Sequence, residues 1–132
     1  RNATHYVRGV SKHNKHHYNK VILTMSAVSS SAARAFVMGK RLSKSNTSVR
    51  ANRDGSVEMR LHDNLIARHT VEDGTQLTMA GWGTMTTRAR LNAIVDELGM
   101  RGGFWQHKGE QFYGTPESNR TISTGEWVQI TR

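Results

Sequence analysis

The alternation of apolar and polar residues between positions 47 and 81 predicts β-strands. Val57, Met59 and Leu61 alternate with polar neighbours, which places them on one face of a strand. Short polar clusters with residues that tolerate positive φ separate the apolar segments, as tight hairpins require. These clusters are Asn52-Arg53-Asp54-Gly55, His62-Asp63-Asn64 and Glu72-Asp73-Gly74. The pattern predicts an antiparallel meander of about four strands.

A second pattern, with helical spacing, occupies residues 84–99. Thr86 or Thr87 is predicted to cap its start, and Gly99 stands where a left-handed residue ends a helix. We expect the apolar stripe of this helix to cover one face of the meander. The residues of the stripe, at i, i+3, i+4 and i+7, are Leu91, Ile94, Val95 and Leu98.

The remaining segments give weaker patterns. Three serines at positions 29–31 precede good helix formers, which predicts a helix over residues 31–42 with Gly39 as its weak point. Residues 21–25 fit either a strand or the start of a helix. Residues 104–113 fit a hairpin turned at Lys108-Gly109, and residues 126–131 fit a final strand. The predicted class is α+β, an antiparallel sheet packed by one or two helices.

Charge is distributed unevenly along the chain. The net charge is +9, and the first 53 residues hold eleven basic side chains and no acidic one. From Asp54 onward, eight basic and ten acidic residues nearly balance. Because residues 1–20 are basic and lack an apolar period, we predict a flexible, extended basic arm there and a single α+β domain over residues 21–132.

A basic block of this size favours a polyanionic partner, because each neutralised phosphate releases condensed counterions. Nucleic acid, DNA or RNA, is the expected partner. The alternative is an arm that keeps the protein soluble or docks on an acidic protein surface. The cations that we expect to contact phosphate are Lys12, Lys15, Lys20, Arg34, Lys40, Arg41, Lys44 and Arg50.

Arg88 and Arg90 lie in the first turn of the helix predicted over residues 84–99, where the helix dipole disfavours cations. A phosphate bound there would satisfy both arginines, the nearby threonine hydroxyls and the free backbone amides. The alternative is structural, with the side-chain stems packed along the sheet and the charged ends paired with Asp96 or a strand carboxylate. The sequence leaves both interpretations open.

Aromatic side chains supply candidate platforms for unpaired bases. Most of them are expected in the core, because a domain of this size needs its aromatic rings inside. Trp105, which lies between Gly103 and Lys108, is the best candidate for exposure and base stacking.

Several motifs resemble small proteins encoded by tailed bacteriophages. The resemblance covers about residues 32–113. It implies a virus or prophage of bacteria as the context and brings no activity or catalytic residue. The motifs are Gly39-Lys40-Arg41-Leu42, Ser45-Asn46-Thr47-Ser48-Val49, Leu61-His62-Asp63-Asn64-Leu65-Ile66-Ala67, Ala80-Gly81-Trp82 and Thr86-Thr87-Arg88-Ala89-Arg90-Leu91-Asn92-Ala93.

Candidate catalytic and metal sites are weak. The spacing of His13, His16 and His17 suits a divalent metal, but lysines flank them and no carboxylate or cysteine is near. A second histidine and carboxylate group falls at predicted turns, where such residues are common for backbone reasons. We expect no metal, no cofactor and no catalytic activity. The second group is His62, Asp63, His69, Glu72 and Asp73.

The sequence therefore predicts a non-catalytic, phage-type accessory protein that binds nucleic acid through its arm and a helix N-terminus. The alternative is a virion structural or host-interaction protein whose arm docks on an acidic partner. Its apolar runs are too short to cross a bilayer, so we expect it in the host bacterial cytoplasm or the virion and not in a membrane.

Overall fold

The computed structural model describes the backbone of residues 15–131 and the side chains of residues 26–131. Within these ranges the chain forms two helices, α1 (Lys15–Met38) and α2 (Met85–Glu97). The strands are β1 (Leu42–Lys44), β2 (Thr47–Ala51), β3 (Val57–Leu61), β4 (Asn64–Thr70), β5 (Gly74–Leu77), β6 (Gly103–His107), β7 (Glu110–Gly114), β8 (Asn119–Ile122) and β9 (Val128–Thr131).

The strands form two antiparallel sheets. The larger has six strands in the order β1-β2-β3-β4-β5-β9, and the smaller has three in the order β6-β7-β8. Strands β2 to β5 neighbour each other in chain order, so the predicted α+β class and four-strand meander are confirmed. The turn between β3 and β4 places His62 at φ 50° and Asp63 at φ 66°, the two positive φ values of a tight hairpin.

One row of side chains crosses the whole six-stranded sheet and marks the face that the helices cover. Residues directly opposite in antiparallel strands share a face, and every member of the row except the half-buried first one is buried. Helix α1 packs on β1, β2 and β3, while α2 packs chiefly on α1 and β6. The other face of the sheet is polar. In strand order, the row is Leu42, Val49, Met59, Ala67, Leu77 and Val128.

Helix α2 matches its predicted range but not its predicted cap. Thr84 is the N-cap residue, and its hydroxyl accepts a hydrogen bond from the Thr87 amide. The predicted caps, Thr86 and Thr87, lie inside the first turn. Gly99, at φ 72°, ends the helix as predicted, with its amide donating to the Asp96 carbonyl at 2.9 Å. In the predicted stripe only Leu98 remains half-buried.

Helix α1 is the main departure from the predicted elements. It begins at Lys15, so residues 15–20 of the predicted extended arm are helical, and residues 1–14 lie outside the described range. The predicted helix over residues 31–42 is only its second half. Ser29 lies in the middle of the helix, where its buried hydroxyl accepts a hydrogen bond from Arg90. A tertiary contact therefore uses a serine that locally resembles a cap.

The same helix ends four residues earlier than predicted. Gly39 is left-handed at φ 69°, and the Lys40 amide donates to the Ala35 carbonyl at 2.8 Å, which closes the helix. Leu42 then starts β1 instead of belonging to α1. Near the other end of the chain, the hairpin turned at Lys108-Gly109 is confirmed, and β8 was not predicted.

Candidate nucleic-acid interface

Arg88, in the first turn of α2, has a buried side chain that contacts two other parts of the chain. Its side chain is 7% exposed. Its Nη1 donates to the Gly83 carbonyl at 3.1 Å and to the Oε1 atoms of Gln106 and Gln111 at 3.1 and 3.0 Å. The guanidinium group thus connects the loop before α2 to the hairpin formed by β6 and β7.

Arg90 is buried on the other side of α2 and connects both helices to the large sheet. It is 3% exposed, and its Nη1 donates to Ser29 Oγ in α1 at 2.7 Å. Its Nε donates to Thr47 Oγ1 at 2.9 Å and its Nη2 to Asn46 Oδ1 at 3.1 Å. Burial lowers the pKa of Arg90, because desolvation disfavours the charged form.

These contacts favour the structural alternative for Arg88 and Arg90 over the interpretation that they hold a phosphate at the start of α2. Both side chains are buried and engaged within the fold, as the structural alternative expected. The acceptors described above are neutral oxygens, where that alternative expected Asp96 or a strand carboxylate. Neutral acceptors suffice because each N–H group needs an oxygen with a lone pair, whatever its charge.

The cations predicted between residues 34 and 50 lie on the surface. Lys12 lies outside the described residues, and only the backbone of Lys15 and Lys20, in α1, is described. These exposed side chains are accessible to a polyanion, but their exposure does not identify a partner. The exposed cations are Arg34, Lys40, Arg41, Lys44 and Arg50.

Two of these cations stand opposite each other on the polar face of the six-stranded sheet. Leu42 pairs with Val49, and Arg41 directly precedes the first of these while Arg50 directly follows the second. Continuing the register by one residue therefore places Arg41 across from Arg50. Like charges at opposite positions destabilise a sheet. An anion between the two guanidinium groups would relieve this repulsion.

A groove of about 500 Å³ runs along this face, and both arginines line it. Arg60 of β3 also lines it and forms an ion pair with Glu58, with 2.9 Å between Arg60 Nη1 and Glu58 Oε1. Asp63 lies at its rim. We call this surface the sheet groove; its lining residues are Arg41, Leu42, Ser43, Ser48, Val49, Arg50, Glu58, Arg60 and Asp63.

Arg68 extends the cationic character of the same face. Its cross-strand partner is Glu58, which itself pairs with Arg50, so the three share one side of the sheet. Its guanidinium carbon lies 4.0 Å from the ring centroid of Trp127, a cation–π contact. Sequence reasoning missed Arg60 and Arg68; for Arg60, alternation with the buried residues of β3 was the signal for an outward-facing position.

The aromatic candidate chosen from sequence is not the most exposed one. Trp105 is half-buried and stacks on Phe112, with 5.6 Å between the ring centroids and 9° between the planes. Trp82 is 58% exposed. Gly81 next to it has φ 87°, a backbone conformation that favours glycine, and Gly83 lies so close to Gln111 that a Cβ there would be 2.8 Å from Gln111 Nε2.

The candidate catalytic residues do not converge. His62 and Asp63 precede β4, whereas Glu72 and Asp73 follow it, so the two pairs lie at opposite ends of one strand. His69 Nδ1 lies 3.0 Å from Thr75 Oγ1. Among the residues the structure describes, no group of three or more histidines and acids could hold a metal. Of the three clustered histidines, His13 lies outside the described residues, and the side chains of His16 and His17 are not described.

A family model matches residues 25–131, from the middle of α1 through β9, and its description is Kyanoviridae Gp96 protein. The chain belongs to this family. The family is one of cyanophage proteins, so the predicted phage origin is confirmed. Searches of curated proteins and of solved structures found no match. Across the described part of this Kyanoviridae Gp96 family member, neither helix combines the length and apolar character needed to cross a membrane.

Proposed function

We propose that this phage protein is a non-catalytic accessory protein that binds nucleic acid through the sheet groove. The opposed pair Arg41 and Arg50 is the observation that carries the proposal. Two exposed arginines at facing positions of one groove offer guanidinium donors suited to phosphate oxygens. Arg50 belongs to β2, and Arg41 directly precedes β1, so the paired strands set the positions of their backbones.

The charge of the chain supports the same partner. The two arginines belong to the first 53 residues, which contain no acidic side chain. Arg60 of β3 lines the same groove and adds a third guanidinium group to this surface. Contacts of these groups with phosphates are independent of base sequence, because phosphates carry no sequence information.

A salt series tests the proposal. Labelled single- and double-stranded DNA and RNA would be titrated with the protein at several salt concentrations, and the affinity plotted as log K against log salt. The combined substitution Arg41→Gln and Arg50→Gln should weaken binding and reduce the magnitude of the slope by about two, since each phosphate contact contributes about 0.9 on double-stranded DNA.

The matched control removes the same charge elsewhere. Arg101 and Arg120 are exposed and form ion pairs with Glu117 and Glu126 at 3.1 and 2.7 Å. The combined substitution Arg101→Gln and Arg120→Gln should leave the slope nearly unchanged. Equal effects of the two double variants would assign binding to net charge alone and remove the sheet groove from the interface. Equal binding at low and high salt would overturn the nucleic-acid function itself.

The second candidate is a virion structural or host-interaction protein. Glu58 and Asp63 line the same groove, and their carboxylates would repel phosphate but suit a protein surface of mixed charge. This candidate predicts no salt-dependent binding to any of the four nucleic acids. Either function is compatible with the host bacterial cytoplasm or the virion as the place of action.

A further inference from the structure

A second cavity, of about 320 Å³, opens at the start of α2, around the β3–β4 turn from the sheet groove. Its volume lies within the range of small-ligand sites, about 300–1,000 Å³. Its base is apolar, and the three threonines of the first turn of α2 close one side. We call it the Trp82 cleft; the residues used below are Leu61, His62, Asn64, Ile66, Met79 and Trp82.

The loop that carries Trp82 is held firmly although its ring is exposed. The Gly81 amide donates to the Thr124 carbonyl at 2.9 Å, and the Trp82 amide donates to the Met79 carbonyl at 2.8 Å. Ala80 has φ 54°, a left-handed conformation that costs an L-residue about 1–2 kcal/mol. The fold thus accepts backbone strain and keeps a large apolar ring in water, which is typical of a binding site.

Each buried arginine supports one wall of this cleft. Arg88 holds the Trp82 loop through the Gly83 carbonyl. Arg90 holds Asn46, whose carbonyl accepts from the His62 amide at 2.8 Å and whose Nδ2 lies 3.4 Å from His62 Nε2. The two buried arginines therefore help to fix the positions of Trp82 and His62.

The chemistry of the walls identifies the occupant. An exposed indole offers a flat face, the apolar base excludes water from a ring, and His62 and Asn64 can donate and accept hydrogen bonds at its edge. Among the described residues, none of those that line the cleft is acidic. Lys44 and Leu61 both pair with Thr47, so they lie on the same face of the sheet. A cation therefore lies two strands away from Leu61 in the cleft.

We infer that the Trp82 cleft binds one unpaired nucleobase of a single-stranded nucleic acid, stacked on Trp82. The inference rests on the proposed function and deepens it by naming the strand state. The β3–β4 turn connects the two surfaces, since Asp63 lines the sheet groove while His62 and Asn64 line the cleft. A single strand with phosphates in the groove can place a base in the cleft, whereas a base within a duplex is stacked and unavailable.

The test compares a labelled oligothymidine strand with an abasic strand of the same length, which has the same phosphates and no bases. The wild-type protein should bind oligothymidine about 5- to 150-fold more tightly, the range for one stacked base. Trp82→Ala should remove this preference and leave the salt slope unchanged, because stacking releases no counterions. Trp82→Phe, which retains a ring, should keep part of it.

A matched control is Val71→Ala, which removes an apolar side chain that is 77% exposed and lies beyond the other end of β4. It should leave both affinities unchanged. If wild-type protein binds both strands equally, or if Trp82→Ala keeps the preference for oligothymidine, the cleft proposal is wrong while the sheet groove stands. If the protein binds neither strand but binds a duplex, the cleft proposal fails and the sheet groove stands; if it binds neither strand and no duplex, both proposals fail.

Discussion

Arg41 and Arg50 lie exposed on the polar face of the sheet, whereas Arg88 and Arg90 lie buried between the helices and the strands that they contact. The exposed pair stands side by side across two strands. Each buried arginine instead donates to three oxygens, all of them from distant parts of the chain except the Gly83 carbonyl bound by Arg88. A guanidinium group in the second situation cannot bind an external phosphate without giving up bonds that hold the fold.

The difference shows how net charge overstates the charge that a ligand meets. The formal value of +9 counts buried and exposed cations alike. Buried arginines contribute structure, and their fixed geometry shapes the Trp82 cleft. Exposed ones contribute attraction at a distance and the salt dependence of binding. A partner bound in the sheet groove would contact the exposed arginines directly and the buried arginines only through the walls that they position.

The most severe disruption of the buried region should come from its apolar centre. Leu91 of α2 is 0% exposed, so Leu91→Ala should lower the free energy of unfolding by about 2–5 kcal/mol through lost burial and a residual cavity. Denaturant unfolding measures this effect. Leu98→Ala, at a half-buried position, should cost less, and the exposed Arg34→Ala should stay within about 0.5 kcal/mol. A larger loss at Arg34 than at Leu91 would contradict the assigned burial.

The buried arginines should give the next largest effect and separate stability from binding. Arg90→Gln leaves Ser29, Thr47 and Asn46 without their cationic donor, so the free energy of unfolding should fall by about 2–3 kcal/mol. Arg41→Gln should change it by less than about 0.5 kcal/mol. The affinity for nucleic acid, measured on the folded fraction, should fall more in Arg41→Gln than in Arg90→Gln. A stable Arg90→Gln variant with a weakened salt slope would restore the phosphate interpretation.

The parts of the fold predicted from sequence are those that local contacts determine. Strand β3 alternates because one face is buried, and the turn residues His62 and Asp63 adopt the positive φ values that their types tolerate. Helix α2 has both a period and a terminating glycine. The hairpin of β6 and β7 is likewise specified within a few residues.

The parts that sequence missed depend on partners far along the chain. Arg90 meets Thr47 and Ser29 across 43 and 61 residues, and no local pattern contains that information. The same contact explains why a serine that resembles a cap lies within α1. Trp105 was preferred over Trp82 as the exposed ring because the local sequence does not show which way an aromatic side chain points. Only the sheet register reveals that Arg41 faces Arg50.

A further prediction separates the exposed cations of the sheet groove from those at the start of the chain. Removing residues 1–14 deletes Arg1, Arg8 and Lys12, all of which precede α1. If each contacts a phosphate of double-stranded DNA, the slope of log K against log salt should fall in magnitude by about 2.7. The truncation combined with the Arg41→Gln and Arg50→Gln changes should show additive losses. An unchanged slope in the truncated protein would leave the sheet groove as the principal contact.

The smallest expected effect concerns the acids that border the exposed region. Asp54, in the β2–β3 turn, accepts hydrogen bonds at Oδ1 from Ser56 Oγ at 2.6 Å and from the Ser56 amide at 2.9 Å, which hold the pKa of Asp54 below its ordinary value. A carboxyl whose pKa is lower in the folded state adds stability above its unfolded pKa of about 3.9. That stability is lost as the pH falls through the lower, folded value. The melting temperature should therefore be insensitive to this group between pH 7 and 5 and should fall slightly below about pH 4. Ser56→Ala and Asp54→Asn should each flatten the acid side of the profile of melting temperature against pH. An equally steep fall in both variants would assign the acid sensitivity to other carboxyls. Glu126 is one of these, because its hydrogen bond with Arg120 lowers its pKa.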